Sequence, residues 1–596
     1  MTILKLTLFL ATLLCQERAA GQIVNSANPV EKPNILLLVS EDNGPQLGCY
    51  GDTSACTPRL DQLAMEGVRF SKAFVPYSVC SPSRAAFLTG LHPQQNGQIG
   101  LATHGFSMTE KFASLPSLLI GAGYRTGIIG KLHVNPASAF PFGFKRFSGS
   151  NFSRRRVPEF AAAAREFFRA DKVPFFLAVN FPDAHFPLIS QQDGLPVNPS
   201  TAEDVQTLSF VGVDSPRLRQ ATADYYSCMA RLDAGVGMVL DELKEAGLAE
   251  NTLVIYIGDH GAQFSRGKTS CYDAGLRVPF LVRWPGHVKT GLVRDELVST
   301  LDILPTVCEA IGVEIPPHRT GRNLEPLFND GKIGDWRTHV FAMGTGSAPV
   351  LGWLQFAVRG ERYKLIINPQ SGAENRSARA YLEQHNQHFI AGTNQTEVST
   401  GTELVKSGYA TWLRPPKLEL YDLRADPNEW NNLAASEDHA VVRKDLLQEL
   451  KFFRKSIADP FLNPNIQERF LSEQQAALSH PYRKDPGFSW TYSADFRAAV
   501  KGHDVADVLK LDSPFDHHFI LPCNVSNQLS GKASANEVIR VHFADTSVST
   551  KADANGKWRV ELPPQSPNPV AKRLLIQGEV DCIQLLGVTV GESTKN

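Results

Sequence analysis

Asn34-Ile35-Leu36-Leu37-Leu38-Val39 is a largely continuous apolar run, and it stops on Ser40-Glu41-Asp42-Asn43-Gly44. A run without alternation reads as a strand buried on both faces, as in a parallel sheet covered by helices. The pattern recurs down the chain. Tyr124 to Ile129 runs into Gly130-Lys131-Leu132-His133, Pro174 to Phe181 into Pro182-Asp183-Ala184-His185, and Thr252 to Ile257 into Gly258-Asp259-His260-Gly261. Helical spacing separates these runs: Leu115 to Ala122, closed by Gly123, and Ala221 to Ala246, with Tyr225, Leu232, Val236, Val239, Leu240 and Leu243 in its stripe. Strands alternating with helices predict an α/β fold. In such sheets ligands bind beyond the carboxyl ends of the strands. Loops are polar in any protein, but here His, Lys and paired acids recur in place of Ser, Asn and Gly, which favours convergence on one crevice.

The chain has 596 residues, too many for one compact core, so two to four structural units are expected. Its 60 basic and 61 acidic residues leave a net charge of −1, which argues against a nucleic-acid partner. Nine cysteines without a C-x-x-C pair argue against a zinc ribbon or a thioredoxin-type site. Lys5 is the only charge before the largely apolar run Leu6 to Leu14, and Ala19-Ala20-Gly21 offers a cleavage site, so residues 1–21 read as a signal peptide. That run is too short to span a bilayer. Cys15 follows Leu14, where a lipoprotein signal would want a small residue, which disfavours a lipid anchor. A secreted or periplasmic protein without a transmembrane anchor is expected. Export permits disulfides, and Cys49 with Cys56 and Cys523 with Cys582 are candidate pairs whose connectivity stays open.

Cys80-Ser81-Pro82-Ser83-Arg84 precedes a helical stretch from Ser83 to Thr89 that Gly90 stops, so Cys80 falls at or just before a helix N-terminus. Unpaired amides and the helix dipole favour anions there and also stabilise a thiolate. Taken alone, the pentapeptide fits a structural or disulfide-bonded cysteine before a proline turn. Its company reads otherwise. In order come the acidic pair Glu41-Asp42, C-S-P-S-R, L-T-G, G-K-x-H, P-D-x-H and D-H-G. Leu418-Glu419-Leu420-Tyr421-Asp422-Leu423-Arg424-Ala425-Asp426-Pro427 with Asn432-Leu433 follows. From Pro33 to near Pro460 this series resembles the sulfatase family. Cys80 to Gly90, Gly127 to Lys131 and Asp233 to Val254 are most similar to its heparan N-sulfatase (sulfamidase) branch and bacterial relatives.

The resemblance implies an alkaline-phosphatase-like α/β fold. A mixed, mostly parallel sheet flanked by helices would span 33–333, and a smaller α/β subdomain 334–480. It implies that a formylglycine-generating maturation enzyme converts Cys80 to formylglycine, whose hydrate attacks sulfur and whose second hydroxyl then drives sulfate out. It implies one calcium ion on Glu41, Asp42, Asp259, His260 and the modified Cys80. Carboxylates suit that hard cation, which acts as a Lewis acid. Glu41 departs from the aspartate more usual in the family, and His260 occupies a position where the family commonly has Asn or His. Arg84 would hold the hydrate, and Lys131 and Lys268 would clamp the sulfate as preorganised charges. His133 would act as base and His185 as acid, tasks that suit an imidazole near neutrality. The expected substrate is a sulfated sugar, N-sulfoglucosamine first, with an O-sulfated polysaccharide or a small sulfate ester as the alternative. The turn Pro182–His185 and the loop Leu188–Pro216 would line its pocket. A phosphatase or phosphodiesterase of the same wider fold would want a Ser or Thr nucleophile and two zinc ions. Retention of Cys80, Arg84, Lys131, His133 and Asp259 argues against a non-catalytic binding protein.

Residues 459–503 read as a polar, irregular connection, with a linker over 481–510. Beyond Leu511, Glu537 to Phe543, Ser547 to Ala552, Lys557 to Leu562 and Lys572 to Gly578 are short β-type runs broken by turns such as Asn555-Gly556. They predict a small β-sandwich over 511–592. Ser513-Pro514-Phe515-Asp516-His517-His518 and Ala554-Asn555-Gly556-Lys557-Trp558 are similar to a β module found beside sialate O-acetylesterase domains. Carbohydrate contact and a packing role both remain open for it, as does the oligomeric state of the chain.

Overall fold

Eight strands build the large sheet: β1 (Asn34–Ser40), β2 (Val68–Phe74), β3 (Arg125–Gly130), β4 (Phe144–Arg146), β5 (Phe175–Asn180), β6 (Thr252–Gly258), β7 (Phe280–Arg283) and β8 (Leu292–Ser299). The computed structural model describes residues 32–147, 156–334, 336–485, 487–505, 510–512, 519–533, 536–577 and 582–591. The signal segment at 1–21, Cys15 and the motif Ser513–His518 lie outside the described residues. No described helix is long and apolar enough to cross a membrane.

The strand order is β4-β3-β5-β1-β6-β7-β2-β8. Pairing is parallel from β4 through β6 and between β2 and β8, and β7 runs antiparallel to both neighbours. β1 is buried along its whole length, as its largely continuous apolar run requires. Its side chains alternate between faces. Leu36 and Leu38 join a core with Leu60, Phe160, Phe167, Tyr225, Leu232 and Val239 of the helices Pro58–Met65, Val157–Arg169 and Pro216–Glu245. Ile35, Leu37 and Val39 join Phe87, Leu119 and Leu304 of the helices Cys80–Thr89, Leu115–Gly121 and Ile303–Ile311. The sheet is thus covered on both sides. The long helix starts at Pro216, ahead of its apolar stripe, because Ser215 caps it by accepting from the Leu218 N–H.

Four further strands, β9 (Val340–Gly344), β10 (Gln355–Arg359), β11 (Tyr363–Ile367) and β12 (Leu418–Asp422), form an antiparallel sheet in the order β12-β11-β10-β9. Residues 459–503 differ from the irregular connection expected. They hold the helices Pro464–Ala476 and Tyr492–Val505. Phe461, Phe470, Trp490, Tyr492 and Phe496 are buried in one core with Tyr77, Ile99 and Phe106. Trp490 stacks on Phe106 with centroids 4.6 Å apart. A few large aromatics in a polar background anchor the segment, and such sparse anchors leave no period to read.

At the C-terminus β13 (Lys510–Leu511), β15 (Asn527–Lys532) and β18 (Lys557–Leu562) form one sheet. β14 (Ile520–Pro522), β20 (Cys582–Gly591), β19 (Asn568–Gln577), β16 (Val538–Phe543) and β17 (Thr546–Lys551) form the other. Leu521, Leu529, Ile539, Val541, Trp558 and Leu574 share one core within them. The runs expected from the sequence correspond to β16, β17, β18 and β19; β13, β14, β15 and β20 are additional. The disulfide expectation is corrected: Cys49 and Cys56 are free thiols, the first part-buried in the turn Gly48–Tyr50 and the second exposed. Cys523 is free as well, and the side chain of Cys582 lies outside the described residues.

Candidate active site

β3, β5, β1 and β6 are consecutive and parallel, so their carboxyl ends share one edge of the sheet. Glu41 and Asp42 follow β1, Lys131 and His133 follow β3, His185 follows β5, and Asp259 and His260 follow β6. Cys80 opens the helix Cys80–Thr89, all ten residues of which are buried, and Val79 supplies no side-chain cap to its first turn. Backbone conformation at this edge is unusual. Asp42 (φ 50°), His133 (φ 56°) and Thr269 (φ 73°) occupy the left-handed region. For such residues that region costs on the order of 1–3 kcal/mol and recurs at functional sites. Gly130 (φ 86°) turns the chain where a Cβ would stand 2.0 Å from the Asn180 carbonyl oxygen.

The side chains form a closed net. Arg84 is pinned on several sides: Nε donates to Asp259 Oδ2 at 3.1 Å, and Nη1 donates to Asn180 Oδ1 at 2.8 Å and to the Lys131 carbonyl at 3.1 Å. Its Nη2 lies 3.0 Å from Asp259 Oδ2 and 3.6 Å from Glu41 Oε1. Lys131 Nζ donates to Glu41 Oε2 at 2.8 Å. Lys268 Nζ donates to both oxygens of Asp42 at 2.9 Å. His260 Nε2 lies 3.1 Å from Asp42 Oδ1 and 3.2 Å from Cys80 Sγ, while its Nδ1 donates to the Gly261 carbonyl at 2.9 Å. His185 Nδ1 donates to the Phe186 carbonyl at 2.7 Å. His133 Nε2 lies 3.5 Å from Thr103 Oγ1, above a cavity of about 260 Å³ lined also by Asn135 and Lys145. The structure therefore gathers the sequence-derived set at one edge of the sheet, with Cys80 at its centre.

Electrostatics follow from this packing. Burial alone would push the Cys80 thiol up, but Lys131 and Lys268 outweigh it and hold the group below its ordinary value. Burial would likewise lower His260, yet Asp259 and Asp42 raise it to about 9. Asp259, despite burial, is held near 2 by His260, Arg84 and the two lysines. His133 is pushed well down, first by burial and then by Lys131 and Arg84, and is neutral. Burial raises Glu41 in spite of Lys131 and Arg84.

The donor set fits a hard divalent cation. Glu41, Asp42 and Asp259 are at most 1% exposed. Asp42, Cys80 and His260 offer ligand atoms within 4.8 Å of one another, as do Glu41, Cys80 and His185. Buried carboxylates of this number suit calcium, with the imidazole the unusual member.

Several residues of the site were absent from the sequence reading. Asn180, the last residue of β5, holds Arg84. Arg231, fully buried on the long helix, donates through Nε and Nη2 to both oxygens of Asp183; a lone arginine in an apolar stripe was its signal. Gln263 accepts from Lys268 Nζ at 3.4 Å, and His388 stands beside His185; neither falls in a motif. Within the loop 188–216, Val205, Leu208, Val211 and Val213 are buried in the core.

A thiol at a buried helix N-terminus, ringed by lysines, histidines and acids at the strand ends of an α/β sheet, defines a crevice for an anionic group. The sulfatase family model matches residues 33–313, and a model described as N-sulphoglucosamine sulphohydrolase, C-terminal, matches residues 258–375. Human N-sulphoglucosamine sulphohydrolase is 33% identical over 469 residues, covering 72% of this chain and 91% of the relative. Human arylsulfatase A is 30% identical, with 70% and 86% covered, and an ulvan-active sulfatase of Formosa agariphila is 27% identical, with 79% and 91% covered. Among solved structures, a protein in complex with its substrate D-glucosamine-2-N,6-O-disulfate superposes with a TM-score of 0.54 at 20% identity, covering 71% of this chain and 98% of that one. The phosphonate monoester hydrolase of Agrobacterium radiobacter gives 0.54 at 21% identity, with 71% and 95% covered. At those identities the structures establish the fold. The chain belongs to the sulfatase family, whose members are sulfate ester and sulfamate hydrolases, and it is an enzyme.

Proposed function

We propose that this enzyme is an exported sulfohydrolase that releases sulfate from a sulfated sugar, with N-sulfoglucosamine as its first substrate. The observation that carries the reaction is Cys80 at the start of a buried helix, within reach of His260 and in the field of Lys131 and Lys268. The substrate reading is supported by 33% identity across 91% of human N-sulphoglucosamine sulphohydrolase. An O-sulfate ester is the second reading, supported by the 30% identity to arylsulfatase A.

Oxidised to formylglycine by a maturation enzyme, Cys80 would supply a hydrated aldehyde as nucleophile. Calcium, held by Glu41, Asp42, Asp259 and His260, would supply Lewis-acid stabilisation of charge on the sulfate oxygens. The remaining work belongs to this chain's own side chains. Arg84 is fixed by Asp259, Asn180 and the Lys131 carbonyl, and it braces the first turn of the helix that carries Cys80. Lys131 and Lys268 bring two ammonium groups to the sulfate oxygens. His185, its Nδ1–H given to the Phe186 carbonyl, presents Nε2 to protonate the departing amine or alcohol. His133, kept neutral, takes a proton at a ring nitrogen when sulfate leaves.

The test has two parts. A tryptic peptide spanning Cys80 should carry the mass of formylglycine after expression with a maturation system, and sulfate release should be followed on defined N- and O-sulfated saccharides. An active enzyme with Cys80 wholly unmodified would overturn the nucleophile. Release from O-sulfates alone would overturn N-sulfoglucosamine.

A further inference from the structure

His388 belongs to the turn Gln387–Phe389, in the chain segment between β11 and β12. Its ring centroid stands 6.4 Å from that of His185, edge to face at 72°. The turn itself is fixed. The His388 carbonyl accepts from Gln263 Nε2 at 2.7 Å, and its N–H donates to Asn386 Oδ1 at 2.9 Å. Gln263 also accepts from Lys268 Nζ, which binds Asp42. The neighbouring Phe389 is buried edge-on against Tyr381, with centroids 4.9 Å apart. Among the described residues, however, nothing hydrogen-bonds the ring nitrogens of His388. A half-buried imidazole on an anchored backbone thus stands edge to face beside His185, so a group bonded to one ring lies next to the other. Burial and Lys268 push its pKa down, so the ring is neutral. A neutral imidazole offers one donor and one acceptor, the complement of a hydroxyl and not of a second sulfate.

We infer that His388 contacts the leaving group: its ring hydrogen-bonds a sugar hydroxyl adjacent to the atom that His185 protonates, so that substrate choice is read from the turn that Gln263 ties to Lys268. This rests on the sulfated-sugar reading above. The test compares kcat/KM for N-sulfoglucosamine with kcat/KM for para-nitrophenyl sulfate, an ester with no sugar hydroxyl, in wild type, His388→Ala and His388→Asn. The sugar-to-aryl ratio should fall roughly tenfold in His388→Ala, the effect of one lost hydrogen bond, chiefly through KM. His388→Asn, which keeps a donor and an acceptor, should recover part of it. An unchanged ratio in an enzyme that cleaves the sugar, or both substrates falling in step, overturns the assignment of His388 alone. A wild type that cleaves the aryl ester but no sugar overturns the substrate reading and this contact with it.

Discussion

Arg231→Met tests whether the catalytic edge is held from behind. Arg231 and Asp183 are both fully buried, joined by Nε to Oδ2 at 2.9 Å and Nη2 to Oδ1 at 2.7 Å, and Arg231 Nη1 also donates to the Ile189 carbonyl at 2.6 Å. Asp183 leads into Ala184-His185, and its main chain is laced to β1's exit. The Glu41 N–H donates to the Asp183 carbonyl at 3.0 Å, and the Ala184 N–H donates to the Glu41 carbonyl at 2.6 Å. One ion pair therefore positions both a proposed acid and a proposed metal ligand. Methionine keeps most of the arginine's volume and removes its charge, which strands a carboxylate that has no exposure to water. Removing one partner of a buried pair costs about 3–5 kcal/mol. In urea unfolding followed by tryptophan fluorescence, the variant should lose that much. In sulfate-release kinetics kcat should fall roughly a hundredfold, as for a catalytic group displaced by about 1 Å. Arg231→Lys retains the charge without the planar two-oxygen grip, so it should restore stability more than kcat. Arg231→Met with Asp183→Asn removes the stranded charge and should regain a large part of the stability, giving a coupling of several kcal/mol in the double-mutant cycle. A loss below about 1 kcal/mol in Arg231→Met, or strict additivity in the cycle, would refute the reasoning.

Cys80→Ala should abolish turnover while the melting curve stays in place, since a methyl fits where the thiol sat; residual sulfate release would point to another nucleophile. Titrating the protein from chelator into excess calcium should raise its melting transition, by about 2–3 kcal/mol at a hundredfold excess over Kd. Equal melting in chelator and calcium would count against the proposed ion. His92 is buried against Phe453, with ring centroids 4.8 Å apart, and burial and Arg337 push its pKa down to about 3. Its folded value lies below the unfolded one of 6.5, so its contribution is complete above pH 6.5 and lost as pH falls toward 3. At pH 5 that loss is about 2 kcal/mol. His92→Asn should flatten the stability–pH curve over that window, and parallel curves for the two proteins would reject the assignment.

The central strands β3, β5, β1 and β6 were legible because they are buried on both faces and so carry largely apolar runs, whereas β2, β4 and β8, which are only part-buried, gave no such run. β1 and β6 appear within a residue or two of where Asn34–Val39 and Thr252–Ile257 placed them. The candidate site was legible for a related reason. A parallel sheet gathers its carboxyl strand ends, so motifs far apart in sequence, such as Glu41-Asp42 and Asp259-His260, become neighbours without any local signal linking them. What escaped was held by single side chains. Phe461, Phe470, Trp490, Tyr492 and Phe496 anchor an otherwise polar segment at irregular intervals, and no periodicity announces that. The strand β15, Asn-Gln-Leu-Ser-Gly-Lys, has only one apolar residue, and its pairing with β18 comes from the partner strand. His388 enters the site from a turn between short helices, where neither spacing nor propensity foretells a destination.

The buried charges of the crevice explain its two kinds of cation. Glu41, Asp42 and Asp259 face Arg84, Lys131 and Lys268, so the acids are matched one for one by permanent positive groups. Beyond these pairs, His260, raised to about 9 by Asp259 and Asp42, is a further positive group for an entering anionic substrate. Arg84 is fixed through Nε and Nη1 by Asp259, Asn180 and the Lys131 carbonyl, and its Nη2 lies against the carboxylates of Asp259 and Glu41. Lys131 and Lys268 differ: each is a compact charge on a flexible stem, tethered through Nζ to a carboxylate. They can turn toward an arriving sulfate only when Glu41 and Asp42 have another counter-charge to lean on. That is the electrostatic reason for the proposed cation at the acids. In the proposed mechanism the roles separate along the sheet edge, with a guanidinium that would fix the helix start and two ammonium groups that would meet the sulfate.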